Sequence, residues 1–149
     1  MIARVFVDTN VLVYQLDPRE ADKQVRARGW LDHLWASRAG RISFQVLQEF
    51  YVTVTRKLDP GLEAEAARKI VRALWAWQPV AIDERSFMAA WGIQDRFQLS
   101  WWDALIVAAA RSADCSYLLT EDLQHDQDLD GLRVVNPFQV SPEDWMSGS

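Results

Sequence analysis

The chain is poor in the side chains that many reactions recruit. It has one cysteine, Cys115, so no internal disulfide can form, and with only His33 and His125 beside it no zinc framework can be assembled. A lone thiol suits a reducing cytoplasm and is expected to behave as a small buried hydrophobe. Lysine is confined to Lys23, Lys57 and Lys69. Positive charge is not in excess either: the formal net charge is −5, which argues against broad, passive attraction to nucleic acid. No apolar run reaches the length needed to span a bilayer, and the N-terminus enters a strand without a signal-peptide pattern. No nucleophile stands next to a base.

What is present is the material of one globular domain. The 149 residues are 50% hydrophobic and 25% charged, enough for a real core. Without linker, repeat or low-complexity tract, a single domain is expected over residues 1–140. Residues 141–149 form a loose tail in which Trp145 alone could dock. Apolar periodicity and turn residues predict strands at 2–7, 41–43, 79–82, 116–119 and 133–135. Helices are predicted at 10–16, 20–37, 46–57, 62–77, 83–95 and 100–113. Strands alternating with helices imply an α/β fold, with right-handed crossovers and a parallel sheet covered on both faces.

The first strand, Val5-Phe6-Val7, stops abruptly at Asp8-Thr9-Asn10. Open parallel sheets bind ligands at the carboxyl ends of their strands, so Asp8 is delivered to the usual place for chemistry. Three more acids occupy comparable places. Glu49 lies two turns into the helix after Ser43, Asp103 one turn into the helix after Ser100, and Asp122 just past Tyr117-Leu118-Leu119. In a parallel sheet these four can converge on one edge.

Each acid also has a plainer reading. Asp8 and its neighbours could cap a helix, and Asp103 could complete a capping box with Ser100. Glu49 could belong to a solvated helix face, and Glu121-Asp122 to a solvated turn. The functional reading rests on the coincidence of all four. Carboxylates gathered without a counter-charge repel one another and retain protons. A divalent cation removes that cost, and an all-oxygen donor set suits Mg²⁺ or Mn²⁺. Such ions lower the pKa of water and stabilise the attacking and leaving oxygens of a phosphodiester. A cluster of this kind would also account for most of the negative net charge.

Together the segments resemble the PIN domain, and among its members the bacterial toxin ribonucleases called VapC. The matching stretches are Val7-Asp8-Thr9-Asn10, Ser43-Phe44-Gln45-Val46-Leu47-Gln48-Glu49-Phe50 and Leu99-Ser100-Trp101-Trp102-Asp103-Ala104-Leu105-Ile106. Tyr117-Leu118-Leu119-Thr120-Glu121-Asp122-Leu123 and Val134-Val135-Asn136-Pro137-Phe138 follow in the expected order. The resemblance implies a three-layer α/β/α sandwich with a central parallel sheet and a Mg²⁺- or Mn²⁺-dependent endoribonuclease. It further implies a homodimer, held in check by a small antitoxin protein whose C-terminal segment wraps the toxin near its acidic site. By the same resemblance Asp8 and Asp103 are the principal metal ligands. Glu49 and Asp122 would complete the pocket, and Thr9, Asn10 and Thr120 would orient carboxylates and water. The chain departs from its relatives at one place: they often carry glycine near position 126, where this sequence has Asp126 followed by Asp128.

Eight tryptophans invite a stacking role on single-stranded RNA. Core or dimer packing accounts more simply for Trp30, Trp75 and Trp91. The adjacent Trp101 and Trp102 cannot both turn inward, so one should pack and the other border the site. Arg38 and Arg41 are candidates to hold phosphates, while the remaining basic residues suit solvated helix faces. Two rival readings stand beside the nuclease. A phosphatase forming a phospho-aspartate usually has a second acid two residues after the first, where this chain has Asn10. A catalytically silent PIN-like module would bind RNA or protein without cutting.

Overall fold

The computed structural model describes residues 2–147. Its centre is a five-stranded sheet in the order β2-β1-β3-β5-β4, built from β1 (Val5–Val7), β2 (Gly40–Arg41), β3 (Tyr117–Leu119), β4 (Asp128–Leu129) and β5 (Leu132–Val135). The first four strands in that order are parallel, with Val5 opposite Gly40 and Tyr117, and Tyr117 opposite Arg133. Val5, Phe6, Val7, Leu118 and Leu119 are all but fully buried, as strands covered on both faces must be. Burying a side chain such as Phe6 contributes about 1.5–3 kcal/mol, so this apolar run is what anchors Asp8 at its end.

The helices form the outer layers of an α/β sandwich. They are α1 (Thr9–Tyr14), α2 (Ala21–Ser37), α3 (Phe44–Val52), α4 (Ala64–Leu74), α5 (Glu84–Phe97), α6 (Trp101–Ser112) and α7 (Pro142–Ser147). α6 is buried from Ala104 to Ala110 and packs on β3, β5 and α5; α2 packs against β2, α1 and α7. Among the described residues no helix is long and apolar enough to cross a membrane. Cys115 is buried, and burial pushes its thiol up to about 12, so it is inert as expected.

Four expectations need correction. The strand foreseen at 79–82 is reduced to one parallel bridge between Ser43 and Val80, because Pro79 has no N–H to donate and Ala81 and Ile82 turn outward. The long helix over 46–57 is instead α3 continued by a π-helical turn, Thr53–Lys57. β4, foreseen nowhere, pairs antiparallel with β5 through Asp130-Gly131, both at positive φ (55° and 101°). Asp-Gly between apolar residues is a strong hairpin signal and could have revealed it. Finally, the tail is not loose as far as Ser147. It forms α7, and Trp145 docks with its ring 5.6 Å from Trp30 and 4.7 Å from Tyr117. Residues 148 and 149 lie outside the described residues.

Candidate active site

The parallel sheet brings four chain segments to one rim. Asp8 leaves β1 as the N-cap of α1, so its side chain is held by its own helix start: Oδ1 accepts from the Thr9 N–H at 2.8 Å. Oδ2 accepts from Thr120 Oγ1 at 2.8 Å, a bond across 112 residues that joins the ends of β1 and β3. The same Thr120 hydroxyl accepts the Asp122 N–H at 3.1 Å. Thr9 Oγ1 donates to Glu49 Oε2 at 2.7 Å, and Gln45 Nε2 donates to the other oxygen at 3.2 Å. Asn10 Nδ2 reaches Asp122 Oδ2 at 3.5 Å. Capping and site-building are therefore not exclusive for Asp8.

Asp103 is different. Ser100 Oγ caps α6 by accepting the Asp103 N–H at 3.1 Å. The reciprocal capping-box bond is absent, so the Asp103 carboxylate has no hydrogen-bond partner among the described residues. It lines, with Asp8, Glu49 and Asp122, one open pocket of about 430 Å³. Asp122 and its neighbour Glu121 divide their labour. Glu121 is taken up by Tyr14 Oη at 2.8 Å and Lys23 Nζ at 2.9 Å, which leaves Asp122 as the acid of that pair in the pocket.

The electrostatics are those of acids pressed together. Burial raises the Asp8 pKa from 3.8 to about 6; nearby Asp122 and Glu49 add to the rise, and the bonds from Thr120 and Thr9 oppose it. Asp122 is raised too, first by burial and then by the charges of Asp103 and Glu121, while a bond with Asp8 works the other way. Like charges thus couple Asp8 to Asp122 and Glu49, and Asp122 to Asp103. Among the described residues no group of three or more acid, histidine or cysteine side chains is placed to hold a metal ion. By their chemistry alone, oxygen donors of this kind suit a hard divalent cation. Four carboxylates line one pocket, Asp103 is uncommitted, and a cation beside Asp8 would offset the burial, and the lesser repulsion from Asp122 and Glu49, that hold a proton on it.

Other pocket residues correct the sequence reading. Arg38 and Arg41 do not line it; they border a separate cavity with Trp35 and Trp77. The basic side chain in the acidic pocket is Lys57, delivered by the π-helical turn together with Thr53. Periodicity could not single it out, because its orientation depends on that widened turn. Trp101 packs against Phe87 and Trp91 at ring distances of 5.2 and 6.3 Å, while Trp102 is 64% exposed at the pocket rim. The expected division between the two rings is observed. Asp126 stands at φ 67°, in the left-handed region that glycine adopts freely and that Asp tolerates. Asp126 and Asp128 are not among the residues lining the acidic pocket.

Comparison with known proteins agrees with this architecture. The model of the PIN domain family matches residues 5–127, and the chain belongs to that family. No curated protein matches the sequence. Among solved structures, one described as FitAB bound to an IR36 DNA fragment is similar, with a TM-score of 0.69 and 20% identity over 92% of this chain and 97% of that one. FitAcB from Neisseria gonorrhoeae gives 0.67 and 19% over 91% and 99%. A toxin–antitoxin complex from Klebsiella pneumoniae gives 0.60 and 19% over 89% and 97%. At these identities the likeness is one of fold.

Proposed function

We propose that this chain is the toxin of a type II toxin–antitoxin pair, acting as a Mg²⁺- or Mn²⁺-dependent endoribonuclease that hydrolyses RNA phosphodiester bonds with metal-activated water. The observation that carries this reading is the shared pocket of Asp8, Glu49, Asp103 and Asp122, delivered by four separate segments. Family membership supports it, since the same four acids are those the PIN resemblance implies.

Asp8 and Asp103 would hold the cation, with Glu49 and Asp122 completing the set. The cation, when bound, supplies an acidified water and charge neutralisation at the phosphate. The protein's own part is positioning. Thr120 fixes one oxygen of Asp8 and the backbone of Asp122; Thr9 and Gln45 fix Glu49; Asn10 steadies Asp122. Lys57 supplies the positive charge that a phosphodiester requires beside an acidic cluster, and exposed Trp102 offers a face to an unpaired base.

An antitoxin partner is supported by the similar solved complexes. The chain offers it a mainly apolar groove between α3 and α4, lined by Phe44, Leu47, Tyr51, Val71 and Trp75 together with Gln48, Arg68 and Arg72. Exposed Phe87, Met88 and Trp91 on α5 offer a face for the homodimer. The phosphatase reading loses ground because Asn10, standing where a second acid would act, is engaged with Asp122.

The test is cleavage of single-stranded RNA. Wild-type protein should cut with Mg²⁺ or Mn²⁺ and stop in excess chelator. Asp103→Ala should lose activity by more than about 100-fold, since even the groups that only orient ligands typically cost 10- to 100-fold. Undiminished cutting in chelator would exclude the metal mechanism. RNA binding without any cutting would select the silent module, and phosphate release from a phosphomonoester the phosphatase.

A further inference from the structure

A second cavity, about 370 Å³ in volume, lies beside the edge strand β2 and is lined by Trp35, Arg38, Arg41, Ala76, Trp77 and Gln78. Its charged lining is two arginines, Arg38 and Arg41. Trp77 is 2% exposed, and its indole Nε1 and the Nε of Arg41 are both buried beneath the surface without a hydrogen-bond partner. Arg41 Nη1 is spent on two backbone carbonyls, Arg38 O at 3.1 Å and Gly40 O at 2.7 Å. No carboxylate lines the cavity, and among the described residues Arg38 and Arg41 have no ion-pair partner.

The aromatic wall is rigid. Trp77 sits so close to Gly40 that a Cβ there would fall 2.6 Å from its ring. Trp35 rests on Trp77 at a ring distance of 4.7 Å and remains 41% exposed, so it offers an open face with a fixed support behind it. Arg38 and Gln78 both hold left-handed backbone, φ 60° and 55°, at helix ends where glycine is favoured. Here longer polar side chains occupy both places, at the mouth of the cavity. The volume exceeds what a bare phosphate needs and falls in the range of about 300–1,000 Å³ usual for small-molecule sites.

Guanidinium groups for a phosphate beside a supported tryptophan face for a base are the two halves of nucleotide recognition. We propose that this cavity is a nucleotide-binding site, with the phosphate held by Arg38 and Arg41 and the base stacked on Trp35. The nucleotide is either free or one residue of a single RNA strand. The site is separate from the acidic pocket and does not depend on the cleavage activity.

The test uses the full chain as Asp8→Asn, in chelator, so that RNA survives and no metal draws phosphate to the acidic pocket. Tryptophan indole N–H resonances are followed during titration with AMP, inorganic phosphate, pentauridylate and an acidic peptide. AMP should move the Trp77 and Trp35 signals saturably and bind at least fivefold tighter than phosphate. Arg38→Gly, which also relieves a left-handed residue and should fold well, should weaken AMP at least tenfold; Trp35→Leu should remove the advantage over phosphate. Pentauridylate binding tighter than AMP assigns the occupant to an RNA chain, and the reverse assigns a free nucleotide; both support the site. Equal binding of AMP and phosphate, indifferent to Trp35→Leu, would reduce it to a simple anion site and overturn the proposal. Signals moved only by the acidic peptide, or by none of the four, would also overturn it.

Discussion

Thr120 Oγ1 donates to Asp8 Oδ2 at 2.8 Å and accepts the Asp122 N–H at 3.1 Å, so one buried hydroxyl locks two of the four acids to each other. Replacing it with the near-isosteric valine removes both bonds without leaving a cavity. Thr120→Val should weaken Mn²⁺ binding by about 10- to 100-fold, the usual cost of losing a group that orients a ligand. The loss of that bond also favours the protonated form of Asp8. Metal titration by calorimetry at pH 7.5 would measure it; unchanged affinity would show that Thr120 serves the fold alone.

Asp8 itself should weaken the metal-free protein. Its folded-state pKa of about 6 lies above the ordinary value of 3.8, the reverse of a salt-bridged acid. The native state binds the proton more tightly than the unfolded state, so stability falls as pH rises from about 4 to about 6 and stays reduced above. At one unit per 1.36 kcal/mol the full cost is up to about 3 kcal/mol. Asp8→Asn should therefore melt several degrees above wild type at pH 7.5 in chelator, with the gap closing towards pH 4 and on adding metal. A variant less stable than wild type at pH 7.5 would contradict the burial cost.

Trp102 and Lys57 should act on substrate binding, not on the fold. Trp102→Ala is expected to raise KM for single-stranded RNA by roughly 5- to 100-fold, from a stacking contribution of about 1–3 kcal/mol per base, while Trp102→Phe retains most of it. Lys57→Ala should flatten the salt dependence of binding by about one counterion. Both variants should melt within about 0.5 kcal/mol of wild type, since both side chains are exposed. Kinetics across a salt series would check all three.

The loop after Asp122 tolerates an acid through its backbone, not its charge. Asp126→Gly should leave cleavage unchanged and stability equal or slightly higher, because glycine adopts φ 67° freely. Asp126→Val should cost about 1–2 kcal/mol, as a β-branched residue resists that region. Chemical denaturation distinguishes the two; a loss of activity in Asp126→Gly would give the carboxylate a role that its position outside the acidic pocket does not suggest.

Much of this was readable in the linear chain. Val5-Phe6-Val7 before Asp8, the apolar run Ala104–Ala110 after Asp103, and Tyr117-Leu118-Leu119 before Asp122 are buried parallel strands and a buried helix by composition alone. Their order placed three acids at one rim. Weaker signals misled where a single residue governs pairing: Pro79 limited an expected strand to one bridge, and Asp130-Gly131 made an unexpected hairpin. Arg38 and Arg41 are candidates by sequence to hold phosphates at the acidic site, yet the end of α2 and the strand β2 carry them to another cavity.

By itself the sequence determined the α/β class, the buried strands and which acids stand at strand ends, because burial and periodicity are local properties of the chain. Only the tertiary structure decided which oxygen each hydroxyl holds, that Glu121 is neutralised by Lys23 while Asp122 joins the pocket, and that a widened helical turn sends Lys57 there. Those outcomes depend on approaches of a few ångströms between segments some 40 to 112 residues apart, set by packing the whole core at once.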